Sequence, residues 1–185
     1  MNKIIFLIVF LLNFNLSNVS AGVLSVTTAG NENEYKKAYF AGGCFWCMEE
    51  SFDKVKGVVK SISGYSGGHV KNPTYKQVIY KDTGHVEAIA VYYDPTLTSY
   101  EELLKVFWIN IDPFDDKGQF CDKGKSYRSV VFYQNIKQKK LIESSITSIE
   151  KKFNQKKIVT LIWEFEKFYP AEDYHQNYYQ NNFLR

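Results

Sequence analysis

Two cysteines three residues apart, Cys44 and Cys47, enclose Phe45 and Trp46 directly after the pair Gly42-Gly43. The apolar run Ala38-Tyr39-Phe40-Ala41 reads as a short buried strand, the glycines as a turn, and the residues from Cys44 onward as the first turns of a helix. Cys44 then sits at a helix N-terminus, where unsatisfied N–H groups and the positive end of the dipole favour a thiolate, so its pKa is expected to be depressed. A thiolate is a nucleophile. Cys47 lies on the same helix face, and Cys-x-x-Cys is a redox spacing. Two large aromatics beside a reactive sulfur can wall an apolar pocket for a small substrate group. The competing reading of this run is an inert core segment, because free cysteine is among the most buried residue types.

A carboxyl joins the sulfurs as a candidate for chemistry. His85 to Tyr93 is the clearest strand, and its two faces, Val86/Ala88/Ala90/Tyr92 and Glu87/Ile89/Val91/Tyr93, are both mostly apolar. Such a strand is central and covered on both sides. Glu87 is then a carboxyl whose pKa desolvation raises, a general acid at neutral pH unless it pairs a buried cation.

Other elements must position these groups. Gly57 to Gly64 reads as a second strand, and Tyr65 to Tyr75 as a glycine-rich loop. Ser99 and Glu102 form a capping box, and Leu103, Leu104, Phe107, Trp108 and Ile111 share one helical face until Asp112-Pro113. Tyr127 to Tyr133 reads as a strand, Ile142, Ile146, Ile149 and Phe153 mark an amphipathic lysine-rich helix, and Ile158 to Phe165 is rich in strand formers. The aromatic tail from Ala171 reads as a short helix wrapped on the body. Strands and helices in this order predict an α+β domain with a mixed sheet.

The stretch from Gly43 to Glu49 resembles the active-site signature of peptide methionine sulfoxide reductase A, Gly-Cys-Phe-Trp-x-x-Glu. The resemblance continues through residues 64–68, 72–75, 83–88, 93–95, 127–129 and 168–176, in the family's order, and covers about residues 36 to 180. It implies a two-layer sandwich of ferredoxin-like type and reduction of the S epimer of methionine sulfoxide, peptide-bound and free. Under that resemblance Cys44 is the nucleophile, Glu87 the acid that protonates the departing oxygen, and Tyr75 and Tyr127 the oxygen-side hydroxyls, oriented by Asp122. Phe45 and Trp46 form the methyl pocket, and Glu49 closes the signature in a structural role. Many family members keep resolving cysteines in a glycine-rich C-terminal tail. This chain ends Asn181-Asn182-Phe183-Leu184-Arg185, which shifts that role to Cys47, favoured because it is three residues along a helix, or to Cys121 beside Asp122.

The implied cycle needs no metal or nucleotide cofactor. His69, His85 and His175 lack a metal-ligand spacing, and no glycine-rich phosphate loop follows a strand. Reducing equivalents are expected from thioredoxin or another dithiol donor. Two further readings stand beside this one: a general thiol-disulfide oxidoreductase using Cys-x-x-Cys, and a noncatalytic module that recognises oxidised methionine through the aromatic pocket.

The chain has 185 residues, 45% of them hydrophobic and 17% aromatic, which suits one globular domain. Residues 1–21 carry a short positive region, the apolar run Ile4 to Leu12 and the small-residue site Val19-Ser20-Ala21, the pattern of a secretory signal peptide. Residues 22–35 read as a flexible lead-in, leaving 36–185 as the catalytic domain, exported to the periplasm or beyond. Without residues 1–21 the balance is 22 basic against 20 acidic residues, which indicates neither nucleic acid nor a membrane surface as partner. A monomer is expected, without stable membrane insertion. Only three cysteines, an odd number, argue against a disulfide framework and for catalytic thiols.

Overall fold

A computed structural model of the protein describes residues 35–182. The signal-peptide reading and nearly all of the lead-in lie outside the described residues. Strand β1 (Lys36–Gly42) is followed by helix α1 (Phe45–Asp53), β2 (Val58–Ser66), α2 (Tyr75–Tyr80), β3 (Val86–Tyr93) and α3 (Tyr100–Ile109). A two-stranded hairpin, β4 (Gly118–Gln119) and β5 (Asp122–Lys123), leads through a 3-10 turn at Lys125–Tyr127 into β6 (Ser129–Tyr133). Helix α4 (Ile136–Lys152), β7 (Leu161–Glu164), β8 (Phe168–Pro170), a 3-10 turn at Asp173–His175 and α5 (Tyr178–Asn181) complete the described chain.

Six strands form one sheet in the order β7-β6-β1-β3-β2-β8, antiparallel throughout except for the parallel pair β6 and β7. The expectation of an α+β domain with a mixed sheet is met. Strand β3 lies inside the sheet, and both of its faces are buried as the alternation predicts. Ile89, Val91 and Tyr93 join Phe40, Phe45, Met48, Phe52, Leu103, Phe107 and Ile142 beneath the helices. Val86, Ala88 and Ala90 face the other way, toward Tyr39, Phe132, Trp163, Phe165 and Phe168. Glu87 therefore faces the helix side, where α1 packs.

Helix starts follow local chemistry. Thr74 and Gln77 cap α2 reciprocally, and the Asn135 side chain accepts from Gln138 N at 3.0 Å at the start of α4. At α3 only half of the expected box forms, with Ser99 Oγ accepting from Glu102 N at 3.2 Å. The Glu102 carboxylate instead takes Lys105 at 2.6 Å. That helix ends at Ile109, earlier than Asp112-Pro113 suggests, with Asn110 turned back so that its amide donates to Val106 O at 2.8 Å. The region 65–75 is not all loop, because β2 continues to Ser66 beside β3. Phe153 falls after α4 and is half exposed rather than on its buried face.

The sheet brings one set of strand ends together. β1 and β2 finish where β3 and β6 begin, with Gly42 opposite Ser129 and Tyr65 opposite Glu87. Cys44, Glu87 and Tyr127 all emerge at this end.

Candidate active site

Gly43 makes the turn from β1 into α1 with φ +83°, a conformation that costs little only for glycine. A Cβ there would stand 2.6 Å from Gln119 Cβ, so the hairpin of β4 and β5 rests directly on the turn. Gln119 is itself buried and fixed, its Oε1 accepting from Asp112 N at 2.7 Å and its Nε2 donating to Asp112 O at 3.0 Å. This wedge carries Cys121 and Asp122 toward the start of α1.

Cys44 is the N-cap residue, and α1 runs from Phe45. The helix amide that follows the nucleophile is already used: Phe45 N donates to Glu87 Oε2 at 3.0 Å. Glu87 is 2% exposed, and among the described residues it forms no ion pair and no second hydrogen bond. Burial pushes its carboxyl up to about 8, against a partial opposing effect of the Phe45 amide, so it is protonated at neutral pH. The buried-cation reading of Glu87 is thus not realised, and the acid expected from the strand pattern lies one peptide unit from the nucleophile.

The expected depressed pKa of Cys44 is corrected by the structure. Its thiol is held above the ordinary range by a hydrogen bond to Cys47, then by burial and by the negative charges of Cys47 and Glu87; the Cys47 backbone N–H works the other way. Cys47 is the acidic member of the pair. It is pulled down to about 6 by the hydrogen bond from Cys44, against burial, and by the Tyr179 hydroxyl, which lies 3.4 Å from its sulfur. The leading amide serves Glu87 and not the sulfur, and the two cysteines act on each other's ionisation, which the helix-end argument leaves out.

Tyr75 begins α2 and Tyr127 ends the turn before β6, and their hydroxyls lie close enough for each to act on the other's ionisation. Burial, foremost, and the Glu87 charge raise both phenols, so both keep their protons for donation. Glu172 fixes this side of the site: its Oε1 accepts from Tyr75 N at 2.9 Å and its Oε2 from Tyr65 Oη at 2.9 Å. Asp122 lies close enough for its charge to act on Glu87, Cys47 and Tyr127. Cys121, one residue earlier, is exposed at the hairpin turn.

The apolar wall comprises Phe45 and Trp46, with ring centroids 6.0 Å apart, and Tyr75 at 6.3 Å from Phe45. His175 fills the space between them at 5.0, 5.5 and 4.5 Å from Phe45, Trp46 and Tyr75. Burial lowers its pKa and keeps the imidazole neutral. Trp46 is stacked on Tyr178 at 3.7 Å and 7°. Glu49, as expected of a structural residue, is buried, and its Oε2 accepts from Asn177 N at 2.9 Å.

The structure brings together Cys44, Cys47, Glu87, Tyr75, Tyr127, Asp122, Phe45 and Trp46. Sequence reasoning assigned no role to Glu172, His175, Tyr178, Tyr179 or Gln119. The first two stand inside a stretch that carried the family resemblance, whereas nothing local distinguishes the two tail tyrosines among fourteen. Among the described residues no group of three or more His, Cys, Asp or Glu side chains stands together to hold a metal ion.

Residues 36–185 match the family model for peptide methionine sulfoxide reductase. The chain belongs to that family. It is 52% identical over 146 residues to a peptide methionine sulfoxide reductase MsrA of Listeria monocytogenes, covering 78% of this chain and 82% of that one. An MsrA of Limosilactobacillus reuteri is 48% identical over 147 residues, with coverage of 78% and 84%. Among solved structures, reduced Mxr1 of Saccharomyces cerevisiae superposes with a TM-score of 0.77 at 30% identity, covering 84% of this chain and 90% of that one. Methionine sulfoxide reductase A of Corynebacterium diphtheriae gives 0.74 at 29%, with coverage of 82% and 77%. Family membership makes the chain an oxidoreductase that reduces methionine sulfoxide, and it disfavours the disulfide-exchange reading, which has no use for a buried acid one residue from the sulfur.

Proposed function

We propose that this chain reduces the S epimer of methionine sulfoxide, free or within oxidised proteins, with Cys44 as nucleophile, Glu87 as acid and Cys47 as the resolving thiol. The observation that carries the reading is the buried Glu87 carboxyl held on the amide of Phe45, next to Cys44, where burial favours its protonated form. The Cys44 proton leaves through its hydrogen bond to Cys47, and the thiolate attacks the substrate sulfur. Glu87 protonates the sulfoxide oxygen as its bond to that sulfur breaks, while the two tyrosine hydroxyls stabilise charge on it. The oxygen, as hydroxide, passes to the Cys44 sulfur while the bond between the two sulfurs breaks and methionine leaves with that electron pair, so Cys44 becomes a sulfenic acid; the substrate sulfur is reduced by two electrons and the Cys44 sulfur oxidised by two. The aromatic wall on one side of the sulfur and the acid on the other would fix which epimer reacts.

The Cys44–Cys47 disulfide formed next needs two electrons from a dithiol protein of the thioredoxin type. Yeast Mxr1 has been crystallised with Trx2, and the donor proposed here is of that class. The resolving role goes to Cys47 rather than Cys121 because Cys47 lies in the first turn of the helix that Cys44 caps, near enough to act on its thiol. We further read the core as a two-layer, ferredoxin-like sandwich, a reading supported by the strand order β6-β1-β3-β2 with α1 and α3 as the crossovers. Export rests on the pattern of residues 1–21, and a monomer is proposed with it. No helix among the described residues is long and apolar enough to cross a membrane.

The deciding experiment incubates the reduced protein with separated S and R epimers of a methionine sulfoxide peptide and dithiothreitol. Methionine should form from the S epimer only, and not with Cys44→Ser. Reduction of the R epimer at an equal rate, or turnover without Cys44, would overturn the assignment.

A further inference from the structure

Residues 177 to 180 form a strap along α1. Asn177, at φ +51°, donates its amide to Glu49 Oε2 at 2.9 Å; Tyr178 stacks on Trp46; Tyr179 Oη lies 3.4 Å from Cys47 Sγ; and Gln180 Nε2 donates to Asp53 Oδ2 at 3.2 Å. Four consecutive residues thus each engage α1. The positive φ at Asn177 is what turns the chain from the His175 cluster onto that helix. Glu49 is buried and receives this amide from outside its own helix, so the strap is anchored at a fixed point and not simply laid on the surface.

We propose that Tyr179 is a positioning residue for the resolving step, its hydroxyl donating to the Cys47 sulfur and holding it as a thiolate directed at Cys44. The inference rests on the assignment of Cys47 as the resolving thiol. In that step Cys47, having released to solvent the proton it took from Cys44, attacks as a thiolate the sulfur of the Cys44 sulfenic acid. The S–S bond forms, the S–O bond breaks, and hydroxide leaves and takes a proton from solvent to become water. A thiolate has no proton to give, so in this state the phenol is the donor of the pair, and the phenol stays protonated because contact with Cys47 and burial raise its pKa. Once the disulfide forms, the Cys47 sulfur loses its charge and the hydrogen bond weakens. Tyr179 therefore raises the share of Cys47 present as a thiolate and orients it before the step, and does not hold it once the bond has formed.

The other groups whose charge reaches Cys47 are Cys44 on its own helix, Glu50 one turn along, Asp122 on β5 and Glu87 on β3. Cys44 stabilises the thiolate and the carboxylates oppose it. None of them is altered by removing the Tyr179 hydroxyl.

The test is Tyr179→Phe, which keeps the ring against Tyr178 and deletes only the oxygen. With one equivalent of substrate and no reductant, methionine formation and the loss of free thiols are followed in the same quenched samples from pH 5 to 9. At pH 5, below the Cys47 value of about 6, the ratio of the disulfide-forming rate to the methionine-forming rate should fall about fivefold, the low range for a hydrogen bond to an ionised group at a partly exposed position, and progressively less toward pH 8. The pH midpoint of the resolving step should also move up. An unchanged ratio and midpoint would overturn the proposal. Cys47→Ser run in parallel separates the two inferences: disulfide formation at the wild-type rate in that variant would overturn the resolving assignment itself, whatever Tyr179→Phe does.

Discussion

Replacing Glu87 with Gln isolates the proton that the proposed first step requires. Gln keeps the size of the side chain and an oxygen able to accept from Phe45 N, so the 3.0 Å contact that seats α1 survives while the transferable proton is lost. A positioned general acid contributes about 10² to 10⁴ in rate, and a loss of that order is expected in the first turnover. The pH profile carries the sharper signature. With its carboxyl pushed up to about 8, Glu87 is about nine-tenths protonated at pH 7 and about one-tenth at pH 9, so the wild-type rate should fall roughly tenfold across that interval. The acid limb belongs to the thiol pair and should remain in the variant. The assay is methionine formed from one equivalent of S-sulfoxide peptide in rapid-quench samples between pH 5.5 and 10 (buffer range about that wide suffices to bracket both limbs). Glu87→Gln should lose the alkaline limb and run slowly at every pH. A variant within about threefold of wild type, or one retaining the same fall above pH 8, would refute the role given to Glu87.

The same substitution should stabilise the fold. Folding raises the Glu87 pKa from 4.5 to about 8, so its stabilising contribution is full below 4.5 and lost as pH rises through about 8; thermal melts at pH 8 should place Glu87→Gln above wild type, with the gap closing toward pH 4.5. Tyr127→Phe and Tyr75→Phe should each lower kcat by about ten- to a hundredfold with little change in KM, because the hydroxyls act on charge that develops only as the S–O bond breaks; an unchanged kcat in both would remove the tyrosines from the mechanism. Gly43→Ala should cost about 1–3 kcal/mol in denaturant titrations, since it combines a φ of +83° with a Cβ 2.6 Å from Gln119 Cβ. It should also lower activity by displacing the hairpin that carries Asp122.

Much of the fold was legible because burial leaves a periodic trace. The alternation in β3 placed Glu87 on a covered face, and the glycine pair marked the turn before α1. What could not be read depends on residues far apart in sequence. Helix α2 has six residues and one buried apolar side chain, Val78, so only the Thr74-Gln77 cap could have marked it. The acid–base order of the two cysteines turns on an amide claimed by a carboxyl 42 residues away and on a tyrosine 132 residues away. Of the site residues, those with an unusual type in an unusual place, Cys44, Cys47 and Glu87, were found from the residues themselves. Tyr75, Tyr127 and Asp122 needed the family resemblance, since hydroxyls and carboxylates are too common to stand out.

The two sulfurs differ in exposure, Cys47 open to solvent and Cys44 half-buried, and in the proposed disulfide this asymmetry sets the order in which the bond is undone. An incoming donor thiolate meets the more exposed outer sulfur first, so the mixed disulfide forms there and the inner sulfur departs. The sulfur that departs is the one that must attack the next substrate. It is released beside an acid that has regained its proton from solvent, while the donor is still covalently attached. The catalytic centre is thus rearmed before the reductant has left.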